Sequence, residues 1–300
     1  MKINESAGLL ILCILCGIGN DGLAGTITTI NFPGATFTSV YGINDSGQIV
    51  GQFGSAGGTQ GFLYSAGVFT TINAPGATDT VAQGINNYGQ IVGSDATLGR
   101  GFLDVGGVFT PIDIPGAYLT YAEGINDSGQ IVGTFYDLTT AHGFLNVGGV
   151  FTPIDIPGAY LTYASGINAA GQIVGGFMDA TGGHGFLYAG GAFTLINVPG
   201  VAYTQAYGIN AGGQIVGRFE DAAGYHGFID DGGVFTPINI PGATVTYAFG
   251  INNSSQITGV FSDSSGTHGF VYTPTTIPEP GGLTLLALGL VSLVFIVRRP

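Results

Sequence analysis

The chain has 300 residues, 45% of them hydrophobic, with 56 glycines, no tryptophan and a formal net charge of −13. So acidic a surface argues against nucleic acid and anionic lipid headgroups as partners. Its two cysteines, Cys13 and Cys16, both lie near the N-terminus, so the fold cannot be a disulfide scaffold.

At the N-terminus, Lys2 precedes an apolar stretch from Ala7 to Ile18, and Gly22-Leu23-Ala24 places small residues where a signal peptidase reads. Residues 1–24 are therefore expected to be a signal peptide cut after Ala24. Both cysteines leave with it, and Leu15 before Cys16 argues against a lipoprotein. The body that follows holds two basic residues, Arg100 and Arg218, against fifteen acidic ones.

The body, residues 25–272, is a repeat array. Gly-Ile-Asn begins at Gly42, Gly84, Gly124, Gly166, Gly208 and Gly250, in steps of 42, 40, 42, 42 and 42. Pro-Gly recurs in step at Pro33, Pro75, Pro115, Pro157, Pro199 and Pro241. The third and fourth copies are nearly identical, but Glu123 in one is Ser165 in the other.

Within the fourth copy, four β-branched and aromatic segments are separated by turn residues: 150–156, 161–168, 172–177 and 184–188. Asn168-Ala169-Ala170-Gly171 predicts a hairpin turn whose glycine takes positive φ. Pro111, Pro153 and Pro237 share one strand position and remove a ladder donor, which places that strand at an edge. Four antiparallel strands per ~42 residues, repeated sixfold, predict an all-β, six-bladed β-propeller, with a β-solenoid as the alternative.

The motif Gly-Ile-Asn-x-x-Gly-Gln-Ile-Val-Gly followed by His-Gly-Phe-Leu resembles the extracellular repeats called HAF, with Gly143 and its equivalents where that family usually has alanine. The resemblance runs over the whole body.

The four histidines, His142, His184, His226 and His268, each follow an aspartate by five residues: Asp137, Asp179, Asp221 and Asp263. In the second copy the pair becomes Asp95 and Arg100, and in the first Ser55 and Gln60. Acid with cation and neutral with neutral is the pattern of residues facing each other across a hairpin, so these are read as structural cross-strand pairs. One Asp and one His fall short of the four ligands of a structural zinc site, so no metal or cofactor is expected. The acid in Asn44-Asp45-Ser46-Gly47 is missing from most copies, which favours a turn over a calcium loop. No nucleophile-elbow pattern is present, and no catalytic residue is assigned. Phe62, Phe102, Phe144, Phe186, Phe228 and Phe270 recur at one position and are read as core between blades. Loops at 54–59, 138–141 and 222–225 form the rim on which a ligand would be sought.

Residues 273–277 read as a Thr/Pro linker. Beyond it stand Pro278-Glu279-Pro280, an uncharged run from Gly281 to Val297 and the pair Arg298-Arg299. That run is at the short limit for a membrane-spanning helix, and the arginines would hold the C-terminus on the cytoplasmic side. Triplet, apolar helix and arginines together resemble the PEP-CTERM sorting signal of Gram-negative bacteria, with a thinner basic end than is common. The resemblance implies processing by an exosortase-like membrane enzyme, after signal peptidase, and association with exopolysaccharide or surface proteins. The expectation is an exported, non-enzymatic structural or binding module of the cell surface or extracellular matrix. The alternative is a propeller hydrolase or lyase acting on matrix polysaccharide. It requires a pocket where one copy departs from the others, and Arg100 and Arg218 are the departures visible.

Overall fold

The computed structural model describes residues 24–275. The sorting signal and membrane segment at 278–300, and all of the signal peptide but Ala24, lie outside the described residues. Twenty-four strands and no helix are found among the described residues, so none of those is a helix able to cross a membrane.

The strands form antiparallel meanders of four. In one, Leu161–Ile167 pairs with Ile173–Asp179, that strand with Gly182–Ala189, and the last with Ala192–Ile196. The strand count expected of each repeat is met, but the grouping differs. Val150–Ile154, read as the first strand of the fourth copy, pairs instead with the preceding Ala141–Val147. The cause is Gly148-Gly149, both at positive φ (60° and 91°), which closes a two-residue hairpin and sets Val147 opposite Val150. The Pro-Gly segment then crosses to the next meander, so each meander is offset from the sequence unit by one strand. Val150–Ile154, with Pro153, pairs on one side only and is an edge strand.

The offset is resolved at the ends of the chain. Val245–Ile251, Ile257–Asp263 and Gly266–Pro274 form the last three strands in sequence, and their fourth is Gly25–Ile30. Gly25 pairs with Pro274, so the final strand runs two residues into the stretch read as linker. Thr275 N and Tyr272 Oη both donate to Ala24 O, at 3.0 and 2.8 Å.

The meanders also close into a circle. Asn44 Nδ2 donates to Asn86 O, and the same bond runs from Asn86 to Asn126, Asn168, Asn210 and Asn252, which returns to Asn44 O, all at 3.0–3.2 Å. Each asparagine caps its own turn as well. Asn168 Oδ1, for example, accepts from Ala170 N and Gln172 N. The glycine of each Gly-Ile-Asn permits this closeness, since a Cβ on Gly84 would sit 2.7 Å from Glu123 O and 3.2 Å from Gly124 Cα. The core lies between meanders: Phe186 is fully buried and packs in one cluster with Val132, Ile154, Ala164 and Ile173.

Candidate functional site

The innermost strand of each meander runs along the axis, and its residues form layers. Ile43, Ile85, Ile125, Ile167, Ile209 and Ile251 make a buried apolar ring. Beyond it, towards one end, lies the asparagine circle. On the other side of the glycines stand Tyr41, Gln83, Glu123, Ser165, Tyr207 and Phe249, around a cavity of about 170 Å³. A β-bulge puts them there. Between Ala122 and Gly124 the register with the neighbouring strand slips by one, and Glu123 is the extra residue.

These six positions hold five residue types, with tyrosine in two copies, while Gly-Ile-Asn beside them is constant. Two further columns vary with them: Ser39, Val81, Tyr121, Tyr163, Gln205 and Tyr247 on the inner strand, and Gln52, Ser94, Thr134, Gly176, Arg218 and Val260 opposite. Contacts join the columns. Gln52 Nε2 donates to Tyr41 Oη (2.8 Å), and Thr134 Oγ1 to Glu123 Oε1 (2.8 Å).

The axial ring has two halves. Tyr207, Phe249 and Tyr41 are consecutive around the circle and pack ring on ring, with centroids 4.7 and 5.1 Å apart. Gln83, Glu123 and Ser165 form the polar half. Burial pushes the Glu123 carboxyl up to about 7, against the pull of the Thr134 and Ser165 hydroxyls. Burial likewise raises Tyr41 to about 12 and holds Tyr207 above the ordinary phenol range, so both keep their protons.

Arg218 lies among tyrosines. Its Nη2 donates to Tyr203 Oη (3.0 Å) and Gln205 Oε1 (3.2 Å), and its Cζ lies 4.8 to 5.9 Å from the ring centroids of Tyr247, Tyr203, Tyr225 and Tyr207. Gly176 leaves the room that Gln205 fills, since a Cβ there would meet Gln205 Cγ at 2.8 Å. Among the described residues, three buried side-chain polar atoms lack a hydrogen-bond partner: Gln83 Oε1, Ser165 Oγ and Arg218 Nε. All three belong to the varying columns. Native interiors leave few such atoms, and each calls for an explanation.

Of the residues singled out in the sequence, Arg218 stands at this site, and the histidine–aspartate pairs and Arg100 lie elsewhere. The histidines sit at the hairpins on the perimeter of the cavity's end of the axis. Nε2 of His142, His184, His226 and His268 is 3.3, 3.5, 3.0 and 3.5 Å from Asp137, Asp179, Asp221 and Asp263. They are not directly opposed in the ladder, where His184 faces Phe177 and Asp179 faces Gly182. Each aspartate accepts from its own turn, and those bonds, the Thr181 hydroxyl first for Asp179, draw its pKa down. The second nitrogen of each histidine reaches Asp155, Asn197, Asn239 or Asn31 after an edge strand. Asp95 and Arg100 are directly opposed, away from the axis. No three His, Cys, Asp or Glu side chains converge among the described residues. The six recurring phenylalanines are buried between meanders. Of the rim loops, 222–225 reaches the axial site, through the Tyr225 ring over Arg218.

No family model and no curated protein matches this sequence. Solved structures do resemble it: a streptogramin B lyase (TM-score 0.50, 13% identity, covering 82% of this chain and 97% of that one), a virginiamycin B lyase from Staphylococcus aureus (0.50, 14%, 82% and 98%), and a gluconolactonase from Xanthomonas campestris (0.53, 13%, 88% and 100%). At these identities the likeness shows the fold alone, a β-propeller. What it overturns is a premise of the expectation of a non-enzymatic module. That expectation assumed a repeat scaffold whose departures had no partner constellation, whereas this scaffold also carries a lyase and a gluconolactonase, and Arg218 and Glu123 each stand in such a constellation.

Proposed function

We propose that the protein is an exported, six-bladed propeller enzyme, a lyase acting on matrix polysaccharide from the axial cavity. The single observation that carries this reading is Glu123, a half-buried carboxyl on the axis that faces the cavity and whose pKa desolvation raises to about 7. A group balanced in this way takes and returns protons near neutral pH.

Elimination suits the residues better than glycoside hydrolysis. Hydrolysis employs a pair of carboxylates flanking the bond, and Glu123 is the one carboxylate in the three varying columns. Elimination needs one base and one acid. Ionised Glu123 takes a carbon-bound proton, the electron pair forms a C=C bond, and the adjacent C–O bond breaks. A wall tyrosine protonates the leaving sugar oxygen. Tyr207, whose hydroxyl is bonded to Gln205 Oε1 at 3.0 Å and which lies within the influence of both Glu123 and Arg218, is placed for that role. A cavity of about 170 Å³ is small beside pockets for drug-sized ligands, ~300–1,000 Å³, and admits one sugar ring at a chain end. Stacking on the Tyr207–Phe249–Tyr41 arc would seat that ring.

Six blades are supported by the six meanders and the circle of asparagine bonds. Export rests on the N-terminal pattern, and surface sorting by an exosortase-like enzyme on Pro278-Glu279-Pro280 and Arg298-Arg299. Cleavage after Ala24 would leave Gly25, the first residue of the strand Gly25–Ile30, at the new N-terminus and remove the Ala24 O that accepts from Thr275 N and Tyr272 Oη. The test is release of unsaturated sugar, read by ultraviolet absorbance, from a panel of matrix polysaccharides. Activity is expected with a kcat/KM limb near pH 7 and its loss in Glu123→Gln. Full turnover by that variant would remove Glu123 from the chemistry.

A further inference from the structure

We infer that Arg218 is the counter-ion for a carboxylate on the substrate, so that the sugar taken into the axial cavity is a uronic acid. The inference rests on the lyase reading and specifies its substrate.

The first observation is a charge without a partner. Arg218 is one of two basic residues among the described residues, and the other, Arg100, is off the axis. No carboxylate oxygen lies within 4.0 Å of its guanidinium among the described residues. Glu220, two positions along the strand, is exposed on the rim and turned to Tyr225. A half-buried cation held by phenol rings, a hydroxyl and an amide is compensated only in part, and retaining it is costly unless an anion completes the site.

The second observation is the donor inventory. A guanidinium carries five N–H groups in a planar fork suited to carboxylate. Here Nη2 holds Tyr203 and Gln205, and Nε is buried without a partner. Gln83 Oε1, without a partner, and Ser165 Oγ, which has none in hydrogen-bond geometry but draws on the Glu123 carboxyl, share the axial ring with Glu123, on its two flanks. They offer a hydroxyl and an amide to sugar hydroxyls, while Arg218 projects from the copy that supplies Tyr207.

The third is chemical. A proton on a sugar carbon is removed readily only when an adjacent group accepts the developing charge. A carboxylate does so once its own charge is neutralised, because the electron pair left by the proton moves onto its oxygens and then returns to form the C=C bond as the leaving oxygen departs. Arg218 would stabilise the charge where it accumulates. The Tyr207 ring lies 5.9 Å from Arg218 Cζ, and Tyr207 lines the same cavity as Glu123, so base, acid and counter-ion share one neighbourhood.

The test is calorimetric titration of the full chain in mild detergent with galacturonic acid, glucuronic acid and their uncharged methyl esters. The acids are expected to bind at least tenfold more tightly than the esters. Arg218→Gln should abolish that preference, and Arg218→Lys should keep part of it. Glu123→Gln should still bind the acids. Equal binding of acid and ester by the unaltered protein, binding of neither, or an acid preference that survives in Arg218→Gln would overturn the inference. The ester comparison needs no variant to fold. Acid-selective binding without turnover of any polymer would leave the Arg218 assignment standing and remove the lyase reading.

Discussion

The two ends of the axis are built from neighbouring residues of the same six strands, yet they obey opposite rules. At one end six asparagines are identical, fully bonded and linked in a circle; at the other, Tyr41, Gln83, Glu123, Ser165, Tyr207 and Phe249 bring five residue types around a cavity, with two orphaned polar atoms among them. Copies made by duplication start alike, so a position that stays constant in every copy is one where closure of the ring demands it. Divergence of the layers around the cavity, beside a layer held constant, is what a site for an asymmetric ligand produces. The difference separates what holds the propeller together from what it holds.

Changes at the glycine layer should give the largest effect. A Cβ on Gly84 would lie 2.7 Å from Glu123 O, a backbone atom that cannot step aside, so Gly84→Ala should cost about 3 kcal/mol. Urea denaturation followed by tyrosine fluorescence measures this, and an unshifted midpoint would mean the blades are not in contact there.

Glu123 behaves in the opposite sense at the cavity end. Its folded pKa of about 7 stands above the ordinary 4.5, so its contribution is fully present below pH 4.5 and is lost as pH rises to about 7. The wild-type protein should therefore lose about 2–3 kcal/mol across that window through this group. Glu123→Gln should flatten the loss, so that the variant gains on wild type at pH 8 while turnover disappears. Parallel stability curves from pH 4 to 8 for the two proteins would place the carboxyl in water.

Asn126→Ala comes next. It strips Ser128 N and Gln130 N of their acceptor and Asn168 O of its donor, all at 3.0–3.1 Å, and should cost about 2 kcal/mol with turnover of the folded fraction intact. Loss of turnover without loss of stability would reverse the roles assigned to the two ends.

Much of the scaffold was legible because it repeats. Gly-Ile-Asn at fixed steps marks the ring, and the buried phenylalanines mark the layers between meanders. The offset between sequence unit and meander was not, because Gly148-Gly149 and Pro157-Gly158 both read as turns, and only one of them is a hairpin. The site was hidden for a related reason. Repetition drew attention to the histidines, which are the same in four copies, whereas the signal lay in the columns that change. The substitution of Ser165 for Glu123 between two nearly identical copies was the visible trace of it. What no spacing could supply was the bulge that turns Glu123 to the axis, or the tyrosines brought to Arg218 from neighbouring strands.

The smallest effect is expected at the perimeter. His184 lies against Phe177 with ring centroids 5.1 Å apart, and its nitrogens meet Thr181 Oγ1 at 2.8 Å and Asn197 Oδ1 at 3.2 Å, in a half-exposed hairpin whose aspartate is already satisfied by its own turn. Glutamine can keep part of that bonding, and exposed cross-strand contacts contribute little, so His184→Gln should cost less than about 1 kcal/mol. The same change in all four hairpins should remain additive to within about 0.5 kcal/mol per site, because the pairs sit in separate meanders. Denaturation and turnover measured on the single and fourfold variants decide the matter. If the fourfold variant folds but is inactive, the chemistry lies on the rim, and the axial cavity is only a gap left by the varying residues.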